Sequence, residues 1–153
     1  KDELKICFLY TLADGIMGKC GYVYQASNFK YIGNFKTSVY MDRITGEKIH
    51  PRSAKVLLEE NARYSNKKKV FWLEHEFCEY KNIDKINGLM FRYILPLNKK
   101  GNKILNSYEE YISLKYPKDR DLKYERRISN GKFEDILKPN FNMNCFNYNY
   151  QKY

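Results

Sequence analysis

The chain has 153 residues, of which 43% are hydrophobic and 30% charged, enough for a buried core and too apolar for a disordered polymer. Its 28 Lys and Arg outnumber 18 Asp and Glu, giving a formal net charge of +10 and pointing to a polyanionic partner. No apolar run is long enough to span a bilayer and no basic segment precedes a long apolar one, so neither a membrane span nor a signal peptide is expected. Abundant Lys, Asn, Ile and Tyr also fit A+T-rich coding sequence, but that bias does not choose Lys over Glu.

In chain order, Leu4 to Leu12 is a near-continuous apolar run and reads as a central strand. Ala13-Asp14-Gly15 ends it, and a glycine-bearing loop runs from Gly15 to Gly21. Tyr22, Ala26 and Phe29 fall at helical spacing, predicting a helix over 22–31 that Gly33 ends. Phe35 to Met41 reads as a strand, followed by a turn at Arg43-Ile44-Thr45-Gly46 and a short strand over 47–49. Pro51 suits the first position of a helix reaching about Asn61, with Ala54, Leu57, Leu58 and Ala62 as its buried stripe.

Asn66 to Lys69 is a basic break, and Val70 to Tyr80 fits either a strand or a helix. Leu89 to Leu97 reads as a strand carrying Arg92 among apolar neighbours. Ser107 and Glu110 have capping-box spacing for a short helix to Leu114. Periodicity fades after Tyr116-Pro117, and Lys138 to Tyr153 reads as an Asn- and Tyr-rich tail. The first residue is not Met and a strand-like run starts almost at once, so earlier strands and helices are expected in the complete fold.

Cys7, Cys20, Cys78 and Cys145 are scattered, which argues against a disulfide framework and for a reducing compartment. His75-x-x-Cys78 is the one metal-like pair, and with no second pair to complete it no metal site is predicted.

A strand feeding a glycine-rich turn at a helix start can bind an anion, because free N–H groups and the helix dipole converge there. Here Gly18, Lys19, Cys20 and Gly21 would present those groups. Neither the dinucleotide fingerprint nor a Walker loop is present. The order strand, loop, helix, strand is similar to the acyl-coenzyme-binding core of GNAT-type acetyltransferases. In their loop pattern, Gln/Arg-x-x-Gly-x-Gly/Ala, Gly18 fits the first Gly, Cys20 falls on the second, and Gly15 replaces the Gln or Arg.

Three stretches are more specific: Ala13-Asp14-Gly15, then Gly21-Tyr22-Val23-Tyr24-Gln25-Ala26-Ser27-Asn28-Phe29-Lys30-Tyr31-Ile32-Gly33, then Gly46-Glu47-Lys48-Ile49-His50-Pro51-Arg52-Ser53. With Leu89-Met90-Phe91-Arg92-Tyr93 and Tyr116-Pro117-Lys118, they resemble the Mom-like family of phage DNA modification proteins. The resemblance implies an α/β, GNAT-like mixed sheet flanked by helices, lacking its N-terminal elements. It implies a core over residues 1–118 and a C-terminal extension over 119–153. It further implies modification of the exocyclic amine of adenine, acetyl-CoA or a related acyl-CoA as cofactor, and double-stranded or locally opened DNA as partner, in the cytoplasm of an infected host. Alternatives are an acetyltransferase of a protein or small amine, and an inactive module that binds nucleic acid.

Asp14 can orient or deprotonate an attacking amine, or simply form the turn. Tyr24, Gln25 and Asn28 at helical spacing can meet a base edge or an acyl carbonyl, or lie on a solvated or core face. His50 has the intrinsic pKa for acid–base work at neutral pH, or ends a hairpin strand. Arg52 and Arg92 can hold phosphates, as can Lys67, Lys68, Lys69 and the Arg126-Arg127 pair; the bland readings are a solvated helix end for Arg52, a snorkelling edge-strand arginine for Arg92 and solvated charge for the rest.

Overall fold

Apolar periodicity, left-handed turn residues and one Asn-Gly dipeptide decide where the elements begin and end. The computed structural model describes residues 6–50, 54–112 and 115–142. Its elements are β1 (Phe8–Asp14), α1 (Tyr22–Ala26), β2 (Lys30–Asp42), β3 (Lys48–Ile49), α2 (Lys55–Tyr64), α3 (His75–Tyr80), β4 (Ile83–Pro96), α4 (Lys99–Asn106), α5 (Glu109–Ile112), β5 (Glu125–Ser129) and β6 (Lys132–Asp135). Short 3-10 turns occupy Gly15–Met17 and Asp119–Asp121. Strand neighbours run β3-β2-β4-β5-β6, with β1 also on β4. The chain is thus α/β with short helices. Where a mixed sheet was expected, β1–β4, β2–β3, β4–β5 and β5–β6 all pair antiparallel. Contacts divide the chain into two units, residues 1–36 with 88–123 and residues 37–87 with 124–153.

In the first unit, β1 lies antiparallel to the later part of β4, from Phe8 opposite Pro96 to Asp14 opposite Met90. It is not the buried central strand its composition suggests: among the described residues β4 is its one strand neighbour, and Leu9, Tyr10 and Leu12 are exposed. The core gathers Ala13, Cys20, Tyr31, Phe91 and Tyr93, with Tyr24, Phe29, Leu89, Tyr116 and Leu122 against it. The helix expected over 22–31 stops at Ala26. Asn28 takes φ 60, and the Phe29 N–H returns to the Tyr24 carbonyl, which turns the chain into β2. Gly33 therefore sits inside β2 instead of ending a helix.

The capping box at Ser107 does not form. Ser107 ends α4, its hydroxyl donating to the Ile104 carbonyl at 2.6 Å. The cap of α4 is Asn98, whose side chain accepts from the Gly101 N–H at 2.8 Å.

The second unit has its own core of Tyr40, Ile49, Ala54, Leu57, Leu73, Phe77, Cys78 and Ile83. Leu57 and Ala62 are buried on α2, Ala54 just before it, and Leu58 packs half-buried alongside, as the stripe predicts. The proposed Pro51 start lies outside the described residues. Val70 to Tyr80 resolves into a loop and α3. The β5–β6 hairpin falls where periodicity fades, and Asn130-Gly131, flanked by the paired Ser129 and Lys132, is its two-residue turn.

One polar cluster fixes the loop between α2 and α3. The Glu74 carboxylate accepts from Asn61 Nδ2 at 2.9 Å, from the Ser65 hydroxyl and from the Lys67 ammonium. The Glu74 N–H donates back to Asn61 Oδ1 at 2.7 Å. Lys67 first, then Ser65, hold the Glu74 carboxyl down from 4.5 to about 2. A depressed carboxylate stabilises the fold fully above its ordinary value and loses that contribution as pH falls through its folded value. Glu74→Gln should therefore flatten the fall of melting temperature between pH 4.5 and about 2. The group is partly solvated, so the difference should be at most about 1 kcal/mol. Parallel acid melting curves check this, and identical acid limbs would remove Glu74 from the account.

Candidate functional site

The loop after β1 is held from within. Asp14 Oδ1 accepts from the Ile16 N–H at 3.0 Å and the Met17 N–H at 3.4 Å, capping the 3-10 turn. The Gly18 N–H donates to Gly15 O at 2.9 Å and the Lys19 N–H to Asp14 O at 3.1 Å. Two of the four N–H groups expected to face an anion are thus engaged inside the loop. The N–H groups of Cys20 and Gly21 make no hydrogen bond among the described residues. The helix that follows has five residues, too short for a substantial dipole. Asp14, Gly18, Lys19, Cys20, Gly21, Tyr22 and Tyr24 nonetheless line one cavity of about 570 Å³.

Cys20 is 1% exposed, with Sγ 3.6 Å from Asp119 Oδ1. Burial pushes its thiol pKa up, so it is a neutral thiol at physiological pH. Its carbonyl accepts from the Tyr93 hydroxyl. Burial also drives the Tyr93 hydroxyl pKa up to about 12.

Gln25 has a structural role. Its Nε2 donates to Pro117 O at 3.0 Å and to Tyr93 Oη at 3.1 Å, while its Oε1 accepts from Lys118 Nζ at 3.4 Å. Tyr24 packs against Phe29 and Tyr93, each at 5.5 Å between ring centroids. Asn28 is exposed beyond the end of α1 and does not share a helical face with Tyr24.

By tying down Pro117 and Lys118, Gln25 shapes a second cavity, of about 830 Å³. Tyr31, Leu89, Phe91 and Tyr116 give it aromatic and apolar walls, and Lys115, Lys118, Arg120 and Lys123 supply the cations. Asn34 adds an amide and Asp121 a carboxylate. Tyr116 is fixed by its hydroxyl, which donates to Phe29 O at 2.6 Å. Cations around aromatic faces suit a nucleotide, phosphate to the first and base to the second. Sequence alone does not assemble this site. Its one signal is the run from Lys115 to Lys123, where four cations interleave with Tyr116, Pro117 and Leu122.

Arg92 is elsewhere in the first unit. Its Nε is buried and makes no hydrogen bond among the described residues, and the cavity beside it, about 310 Å³, is lined by Ile32, Ile94, Leu105, Tyr108 and Ile112. That is an apolar setting. His50 and Lys67 to Lys69 belong to the second unit, His50 exposed just after β3. Lys67 is ion-paired with Glu74. Arg127, expected as a phosphate contact, is buried instead, donating to Leu73 O and Cys78 Sγ, each at 3.0 Å. Arg126 bonds Glu134 at 2.5 Å. Arg52 lies outside the described residues. Among the described residues no group of three or more His, Cys, Asp or Glu could hold a metal, and no helix is long and apolar enough to cross a membrane.

The family model of the Mom protein family matches residues 1–118. The chain is 31% identical over 102 residues to Methylcarbamoylase mom of Escherichia phage Mu. That alignment covers 65% of this chain and 37% of the phage Mu protein. No solved structure matches.

Proposed function

The chain belongs to the Mom protein family, and from that premise we propose that it handles the nucleotide in an enzyme modifying the exocyclic amine of adenine in phage DNA. The observation that carries this is the cavity of about 830 Å³, with aromatic walls and four cationic side chains. An adenine can stack on Tyr116 while flanking phosphates meet Lys115, Arg120 and Lys123. A paired adenine hides its amine, so the base must leave the stack first.

The relative's name, a methylcarbamoylase, supports transfer of an acyl-type carbonyl group. In such a transfer the amine nitrogen bonds the carbonyl carbon, the carrier departs with the electron pair of its bond, and the nitrogen loses a proton. Asp14, on the wall of the neighbouring cavity, is the proposed acceptor of that proton. Acetyl-CoA or a related acyl-CoA remains the proposed carrier, supplying the activated carbonyl. Lys19 and the N–H groups of Cys20 and Gly21 would hold its pyrophosphate. Asn28 and His50 keep their proposed polar and acid–base roles, and Arg52 and Arg92 their phosphate roles. In this reading residues 1–118 form a GNAT-like core, 119–153 an extension, and the site of action is the host cytoplasm. The second reading, an inactive module that binds DNA, is favoured by the engagement of Asp14 and two N–H groups within their own loop.

Nucleosides from DNA of cells expressing the protein, resolved by mass spectrometry, test the proposal. Modified adenine is expected with the intact protein, and Asp14→Asn should lower its yield by about 100-fold or more. The asparagine oxygen can still cap Ile16 and Met17, so melting should change little. Asp14→Ala should lose the cap as well, about 1 kcal/mol. A stable, fully active Asp14→Asn protein would take Asp14 out of the site, and absence of modified adenine would favour the binding module.

A further inference from the structure

Between two buried residues the second unit holds two large aromatic side chains out in water. Phe71 is 73% exposed and Trp72 62%, while Val70 and Leu73 on either side are 8% and 0% exposed. The loop is anchored at both ends. The Leu73 N–H donates to the Tyr40 hydroxyl at 3.0 Å, the Lys67 N–H to Ala62 O at 2.8 Å, and Lys67 pairs with Glu74. The display of Phe71 and Trp72 is therefore built into the backbone path.

The two rings do not cover each other. Their centroids are 6.5 Å apart at 42°. Tyr64 and Tyr80 are also exposed, but they stack on each other at 5.2 Å and 25°, so those inner faces are taken. Lys69 Nζ sits 4.8 Å from the centroid of Phe71. Lys68 and Lys69 are exposed and form no ion pair among the described residues.

We propose that Phe71 and Trp72 are a base-stacking wedge, with Lys68 and Lys69 on the flanking phosphates, that binds an unstacked position in DNA. Aromatic faces beside lysines match the stacking and phosphate terms of single-strand recognition. Apolar side chains pushed between base steps are an established way to open a duplex. Lysine is depleted from the cores of protein–protein interfaces, so the pair beside these rings favours phosphate over a protein partner. The wedge rests on the proposed action on DNA and extends it: a base that leaves the helix leaves a gap, and a flat ring can occupy it. It also divides the Lys67 to Lys69 run, giving Lys67 to the fold and Lys68 and Lys69 to DNA.

Trp72 is the one tryptophan in the chain, so its emission reports on the wedge directly. The protein is titrated at low salt with a duplex carrying one unpaired adenine and with its fully paired counterpart. Affinity is read independently from an anisotropy label on the DNA. Trp72 emission should be quenched on binding, more by the unpaired-base duplex. Trp72→Ala and Phe71→Ala should each weaken binding of that duplex by about tenfold with unchanged melting temperature, and Trp72→Phe should recover most of it. Intact DNA binding without quenching, or with full affinity in Trp72→Ala, would overturn the wedge and leave the action on DNA standing. Binding to neither duplex would overturn both. Quenching by anionic phospholipid vesicles but not by DNA would reassign the loop to a membrane surface and overturn the wedge.

Discussion

With Glu placed together at Lys115, Arg120 and Lys123, affinity for DNA should fall by roughly two to three orders of magnitude near physiological salt. All three side chains are exposed on the cavity of about 830 Å³, so their reversal should leave the core untouched. Lys118 is left in place because it donates to Gln25 and lies 5.3 Å from the Tyr22 ring centroid. Its loss would loosen the loop as well as remove a charge. The slope of log affinity against log salt should shrink by about three if each of the three side chains meets one phosphate. The protein keeps a net positive charge after the change, so a loss of this size reports a site and not the total charge. The control is Lys99, Lys100 and Lys103 of α4, also exposed and likewise changed to Glu. That protein has the same net charge and should bind DNA much more nearly like the unaltered one. Equal losses in both would mean that only overall charge matters, and the cavity would cease to be the nucleotide site.

What the sequence discloses depends on whether a signal is local. The buried stripe of α2 is legible because Leu57, Leu58 and Ala62 repeat at the helix period. The end of α1 is not, since Phe29 keeps the spacing while Asn28 has already left the helix at φ 60. The β5–β6 hairpin carries a local signal, Asn130-Gly131, but its strands alternate charged and apolar residues too weakly to stand out. The larger cavity is illegible for a different reason. Tyr31 and Asn34 come from β2, Leu89 and Phe91 from β4, and the cations from a segment without regular period. Only the folded chain brings them together. The glycines of the loop have two readings, because a close approach reads the same whatever approaches. At Gly15 an added Cβ would collide with the Leu89 carbonyl and the Phe91 ring, and at Gly21 with the Tyr93 ring. Gln25 has two readings likewise: an amide suited to a base edge is equally suited to joining Tyr93, Pro117 and Lys118.

Gly21→Ala should cost the fold about 3–5 kcal/mol, a large fraction of the stability of an ordinary domain. Two penalties act together. Gly21 has φ 95, outside the regions that a residue with a Cβ occupies comfortably. The added methyl would also stand 2.5 Å from Tyr93 Cε2 and 2.7 Å from its Cζ and hydroxyl oxygen. Tyr93 cannot easily yield: it is 0% exposed, its hydroxyl donates to Cys20 O, and Tyr24 and Tyr31 pack on it at 5.5 and 5.6 Å. Gly131→Ala separates the two penalties. Gly131 is also left-handed, at φ 77, but a Cβ there meets nothing within 4 Å, so its replacement should cost about 1–2 kcal/mol. The difference between the two melting temperatures then measures the collision with Tyr93 alone. Were Gly21 needed for a phosphate to reach the backbone and not for Tyr93 to pack, the ranking would change. Gly21→Ala would then melt no lower than Gly131→Ala and would lose the thermal shift given by acetyl-CoA. A far lower melting temperature instead assigns the missing side chain of Gly21 to the packing of Tyr93, and leaves Lys19 with the Cys20 and Gly21 N–H groups as the loop groups on which coenzyme binding must be tested.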